Sequence, residues 1–182
     1  MRIALIRHPT PAIGPGICYG RLDVGLDPSA QAWIDRLAAD SPLPTARRIW
    51  TSPAIRCHGP ANAIALALAA PLTVDPRLRE LDFGHWEGQP WDVISRTELD
   101  RWAAAPSSFA APGGESGADL IARVRAFHAD LRRDGQDCMV VSHGGPLKIL
   151  NALLRGKPVD LLAAAPPIGS VNLIDCHAAS VG

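Results

Sequence analysis

The sequence predicts an α/β domain of three layers, with helices on both faces of a mostly parallel central sheet and a small cap folded over it. Three observations predict this. Short apolar runs alternate along the chain with longer amphipathic stretches. The clearest of those stretches, 117–134, sets Leu120, Val124, Phe127 and Leu131 on one helical stripe and meets Gly135 as its stop. Three of the apolar runs then end in arginine or histidine, residues that packing alone does not call for at a buried strand end. A length of 182 residues with 47% apolar and 20% charged side chains suits a single globular domain around one core.

In chain order, a first strand at 2–7 closes on Ala4, Leu5 and Ile6 and runs into Arg7 and His8, where Pro9 stops the ladder. A helix at 29–39 follows, with Asp27 and Pro28 as its cap and first turn and Trp33, Ile34 and Leu37 on its apolar face. A strand at 47–51 leads into "TSPAIR", which ends on Arg56. Gly59 and Pro60 interrupt the pattern beyond it, so a helix is expected to restart there and run over 60–70; proline inside a helix costs about 3 kcal/mol.

Residues 81–116 break the alternation. Trp86, Trp91, Trp102 and Phe109 lie among glycines and prolines around one helix at 91–104, which marks a cap-like insertion within a single domain spanning 1–182. The helix at 117–134, the strand "CMVVS" at 138–142, a helix at 146–154 and a last strand at 170–175 complete the series.

Lysine plus arginine balances aspartate plus glutamate at 18 each, so no global field recruits nucleic acid or an anionic membrane. No apolar run is long enough to cross a bilayer. Cys18, Cys57, Cys138 and Cys176 are scattered with no C-x-x-C pair, and Arg7 and His8 cut short the apolar stretch that a signal peptide needs. Reduced thiols and a cytoplasmic location are expected.

In open α/β sheets a ligand sits beyond the carboxyl ends of the strands. There, strand one delivers Arg7 and His8, strand two Arg56, and "CMVVS" His143 followed by Gly144 and Gly145. One histidine beside a strand end is most often a hydrogen-bonded structural residue; three such ends together point to a site. Arginine presents a planar fork to phosphate oxygens, and an arginine beside a buried strand needs an anion to offset its desolvation. A neutral imidazole can attack phosphorus once its second nitrogen donates to a fixed acceptor, which the turn after His8 is placed to supply. The departing oxygen needs a proton, for which "LRELDFGHWEG" offers Glu80, Asp82 and Glu87; spacing alone does not choose among them.

Other motifs fall away. The glycines of "GPGICYG" lack the dinucleotide spacing, "VVSHGG" is not a nucleophile elbow, and no closely spaced Cys/His set suits zinc. The cap tryptophans are suited chiefly to packing a small cap, with stacking on an aromatic leaving group as a second use.

With "LIRHP", "YGRLDVGLD", "TSPAIR", "ELDFGHWEG", "GGES" and "VVSHGG" in this order, nearly the whole chain resembles the histidine phosphatase superfamily, the phosphoglycerate-mutase-like enzymes. Its "ICYGRLDVGL" stretch and short length are most similar to the bacterial α-ribazole phosphatases of cobalamin synthesis. The resemblance implies a phosphomonoesterase that acts on a small-molecule phosphomonoester without metal or other cofactor. It makes His8 the nucleophile, Glu80 the proton donor, and Arg7, Arg56 and a protonated His143 the holders of the phosphoryl oxygens, with Gly144 beside them. Asp82 and Glu87 become structural supports. Pro9 departs from the family's glycine and removes a backbone N–H, and no asparagine follows the nucleophile, so Arg21 or the 14–20 loop is assigned its substrate contact. His58 is left between a site residue and an exposed loop histidine. Two alternatives stand beside hydrolysis: a mutase that returns the phosphoryl group to a second hydroxyl, and a non-catalytic binder of phosphorylated ligands.

Overall fold

The computed structural model describes residues 1–176. Five strands form one sheet: β1 (Arg2–Arg7), β2 (Arg48–Thr51), β3 (Leu72–Val74), β4 (Cys138–Ser142) and β5 (Val171–Asp175), in the spatial order β3-β2-β4-β1-β5. β4 runs parallel to both β1 and β2, β3 runs parallel to β2, and β5 closes the far edge antiparallel to β1.

The period-two alternation of the strands divides the core between two faces. Ile3 and Leu5 of β1 join Cys138 and Val140 of β4 against Leu120, Val124, Phe127 and Leu131 of α4 (Gly117–Asp134) and Leu147 and Leu150 of α5 (Gly144–Leu154). Ala4, Ile6, Met139 and Val141 point the other way, onto Leu37 of α1 (Ala30–Ala39) and Ala61 and Ile64 of α2 (Ile55–Leu68). These are the three layers that the alternation predicts. Among the described residues no helix is long and apolar enough to cross a membrane.

Several boundaries move, each for a local reason. α2 does not restart at Pro60: it begins at Ile55 and continues through Gly59 and Pro60. Pro60 cannot donate to the Arg56 carbonyl, yet Arg56, Cys57, Pro60, Ala61, Ile64 and Ala65 form one buried face, and packing that face holds the helix together. The first helix begins after Ser29, which makes no side-chain cap; Asp27 accepts the Ser29 N–H at 2.8 Å in a turn just before it. α5 starts two residues earlier than its apolar pattern, at Gly144. β3 has only three residues, too few for periodicity to reveal. Gly135 ends α4 in the left-handed conformation (φ 66°), as its position predicts, and a capping box of Ser116 and Asp119 starts that helix.

The cap segment contains α3 (Arg96–Ala104), shorter than the 91–104 expected because Trp91 to Ser95 form turns. Buried Trp86, Ile94 and Ala111 gather Phe83, Trp91, Leu99, Trp102 and Phe109 around them, and Cys18 from the 11–25 loop enters the same cluster. The cap and the loop before α1 therefore share one apolar centre, which fixes the loop over the carboxyl edge of the sheet.

Candidate active site

Because β4 lies between β1 and β2 and runs parallel to both, the carboxyl ends of these three strands are neighbours. The chain leaves β1 through His8, whose N–H donates to the Ser142 carbonyl at 3.1 Å, one step beyond the ladder. It leaves β4 through His143 at the start of α5, and β2 through Ser52 into the first turn of α2, where Arg56 sits. His8, Arg56 and His143 are thus brought together, the two imidazole centroids 5.3 Å apart.

His8 is almost fully buried, and its Nδ1 donates to the carbonyl of Pro9 at 2.8 Å. That bond leaves the lone pair on Nε2. Burial pushes the His8 pKa down to about 4, opposed by the Pro9 carbonyl and assisted by the positive charges of Arg56 and Arg7. The imidazole is neutral, with Nε2 as its unprotonated nitrogen. The proline that departs from the family pattern therefore supplies the acceptor expected from the turn.

His143 is held by a 2.8 Å hydrogen bond between its Nε2 and Ser52 Oγ, with Cys57 Sγ 3.5 Å from the same nitrogen. Its pKa lies well below the usual value, first from burial and then from Arg56, His8, Arg7 and Arg123. The protonated His143 implied by the resemblance belongs to the site holding a phosphoryl dianion, whose charge would offset its own. In the site as it stands the ring is neutral, because a third positive charge beside two guanidinium groups and out of water is unfavourable.

The arginines do double duty. Arg56 is wholly buried and donates to the carbonyls of Leu22 (2.8 Å) and Gly20 (2.6 Å), with Tyr19 packed on its guanidinium at 5.3 Å. It clamps the 19–22 loop onto the site. Arg7 donates to the Pro166 carbonyl at 2.5 Å. The Nε atoms of both are buried and find no acceptor among the described residues, so each keeps a donor for an anion. Gly144 makes room for this arrangement: a Cβ there would lie 3.2 Å from the Arg7 guanidinium carbon and 2.9 Å from Ala165 Cβ.

Glu80 sits where the cap segment meets α5. Its Oε1 accepts the Leu81 N–H at 2.9 Å and its Oε2 the Gly145 N–H at 3.1 Å. It is the one of the three candidate carboxylates that shares a cavity wall with His143. Glu87 accepts backbone N–H groups from Arg21, Leu22 and Phe83, and Asp82 accepts the Gly84 N–H and pairs with Arg21 at 3.2 Å, so both brace the loop. Arg21 stands at the rim of that cavity, but Asp82 and Glu115 (2.6 Å) occupy its fork, which ties it to the loop architecture. His58 is exposed on α2 and lines neither of the cavities that Glu80 borders.

Two contributors escaped the sequence reading. Ser52 lies one residue past β2, so the strand-end argument applied to hydroxyls would have found it. Arg123 of α4 donates to the carbonyls of Arg77, Arg79 and Glu80 and to Glu115, fixing the backbone that carries Glu80. Nothing in its helical pattern signals this. Among the described residues, no three His, Cys, Asp or Glu side chains gather as metal ligands.

The model of one protein family, described as the histidine phosphatase superfamily (branch 1), matches residues 3–180. Over its whole length the chain is 31% identical to a Hydrogenobacter thermophilus protein provisionally named phosphoserine phosphatase 2, covering 86% of that protein. It is 30% identical, over 87% of its own length and 76% of the relative's, to the glucosyl-3-phosphoglycerate phosphatase of Mycolicibacterium vanbaalenii. The crystal structure of the α-ribazole phosphatase from Shigella flexneri superposes with a TM-score of 0.85 over 96% of this chain and 90% of that one; at 24% identity this is a likeness of fold.

Proposed function

The chain belongs to the histidine phosphatase superfamily, branch 1, and is a phosphatase; from that premise we propose that it hydrolyses phosphomonoesters through a phosphohistidine on His8, with α-ribazole 5′-phosphate as its substrate. The observation that carries the mechanism is the state of His8: buried, neutral, its Nδ1–H fixed on the Pro9 carbonyl and its Nε2 free, beside two arginines that retain unpaired donors.

In the first step His8 Nε2 attacks phosphorus, the bond to the alcohol oxygen breaks, and Glu80 delivers a proton to that oxygen. The positive charge that develops on the imidazole is stabilised at Nδ1–H by the Pro9 carbonyl and offset by the incoming phosphoryl group. In the second step water attacks the same phosphorus, Glu80 takes the water's proton, and the P–N bond breaks to release phosphate and restore His8. The donors of Arg7 and Arg56 hold the equatorial oxygens through both steps, and positioning with charge stabilisation supplies most of the rate. The covalent intermediate divides one displacement into two.

The substrate assignment is supported by the "ICYGRLDVGL" stretch and by the fold shared with an α-ribazole phosphatase. The test is phosphate release from α-ribazole 5′-phosphate in the presence of a chelator, comparing wild type with His8→Ala, together with acid and alkali stability of the phosphoryl group trapped during turnover. Release by wild type alone, with an acid-labile and alkali-stable adduct, is expected. Release undiminished in His8→Ala overturns the mechanism; no release from this ester by an enzyme that hydrolyses others overturns the substrate.

A further inference from the structure

Glu80 borders two separate cavities. The smaller, about 40 Å³, is walled by Arg21, Arg79 and His143 among others and has room for a few waters. The larger, about 170 Å³, lies beneath the cap and is walled by Leu81, Phe83, Trp102, Pro106, Leu120 and Leu161. Its charged lining groups are Glu80 and Lys148, and the Lys148 ammonium is turned to the carbonyls of Leu161 and Ala163.

Resting on the phosphatase reading above, we infer that this larger cavity receives the leaving alcohol, and that the alcohol it fits carries an uncharged ring, with Trp102 and Leu161 as the specificity-determining walls. Continuity with the chemistry comes from Glu80, the group assigned to protonate the departing oxygen, which forms part of the cavity wall. Size sets the scale of the ring, not of the whole alcohol: an apolar cavity of roughly 150 Å³ accepts benzene, so this one takes a single aromatic ring system while the rest of the alcohol reaches back to phosphorus. Polarity sets the class, because a carboxylate-bearing alcohol such as glyceric acid would place a second anion beside Glu80 against apolar walls.

Both walls are held from behind. Trp102 stacks on Trp91 at 6.3 Å with 20° between the rings and meets Phe83 edge-on at 6.1 Å, while Leu161 belongs to the segment that Lys148 secures. A ring entering this space meets surfaces already ordered, so little binding energy is lost in arranging them.

The experiment compares kcat/KM for 2-phenylethyl phosphate, ethyl phosphate and 3-phosphoglycerate. The first two leaving alcohols are nearly equal in acidity, so their ratio reports the ring. A preference of about tenfold to a hundredfold for the phenylethyl ester is expected, shrinking toward unity in Trp102→Ala and, separately, in Leu161→Gln, which lies outside the cap and guards against a cap that fails to form. A ratio near one in wild type, a ratio unchanged in both variants, or a preference for 3-phosphoglycerate overturns the pocket assignment while leaving the phosphatase reading intact. If folded wild type hydrolyses none of the three esters or of a wider phosphomonoester panel, the phosphatase reading falls and the pocket assignment with it.

Discussion

Replacing Gly145 with alanine displaces the Glu80 carboxylate directly. A Cβ at position 145 would lie 2.3 Å from Glu80 Oε1, where ordinary contact begins at 3.4 Å, so the carboxylate has to retreat by roughly 1 Å. The next neighbours, Glu80 Cδ and Leu120 Cδ2, stand at 3.3 Å, just inside ordinary contact. Gly145 is the second residue of α5, where alanine is the better helix former, so the fold is expected to be as stable as wild type or slightly more so. Catalysis is not spared: a displacement of about 1 Å in a reacting group costs on the order of 10²-fold in rate. The assay is kcat/KM, which reports the first chemical step, for an alkyl phosphate and for 4-nitrophenyl phosphate, with Tm measured alongside. The loss should fall mainly on the alkyl ester, because nitrophenolate departs without a proton. A Gly145→Ala enzyme of unchanged Tm that hydrolyses alkyl esters within about threefold of wild type would refute the placement of Glu80 as proton donor.

Acid should act on His8 in two measurable ways. With its folded pKa at about 4 and an ordinary value of 6.5, the unfolded chain binds more protons between those limits, so stability is lost as pH falls through that window and the loss is complete below about 4. The His8 share is about 3 kcal/mol, and His8→Asn should flatten the acid branch of a denaturation series by that much; His143, depressed in the same direction, sustains the remainder. In the same window the His8 imidazole, followed by NMR, should titrate with its midpoint near pH 4, and a midpoint at 6.5 would show that His8 is not held neutral as described. All four cysteines are buried, and burial raises Cys18 and Cys138 to about 12 and Cys57 higher still, so a thiol reagent at pH 8 should react with none quickly in the native protein and with all four after unfolding. A fast native thiol would contradict the packing around His143 for Cys57, within the cap for Cys18, or in the core between the sheet and α4 for Cys138 and Cys176.

The parts of the site legible in the sequence are those that topology alone positions. Arg7 ends its strand, His8, Arg56 and His143 follow theirs within a few residues, and neighbouring parallel strands bring their carboxyl ends together whatever the loops do. What the sequence hides depends on tertiary partners. Arg21 reads as a free cation until Asp82 and Glu115 are seen to hold it, and the run through Pro60 reads as a break until six buried residues are seen along one face of α2. The neutrality of His143 is likewise a property of its burial among Arg56, His8 and Arg7, and no local pattern announces it. Arg123 acts through three backbone carbonyls, groups that every residue carries and that no composition can distinguish.

The same anonymity of the backbone protects the nucleophile. His8 is oriented by a main-chain oxygen where a carboxylate would serve equally well as an acceptor. A carboxylate can be lost to a single substitution, whereas any residue at position 9 still presents a carbonyl. Mutation there can tilt that oxygen but cannot delete it. The identity of the attacking nitrogen is thus insulated from sequence drift, and a position that looks like the family's departure is one where variation in side chain is tolerable to the chemistry.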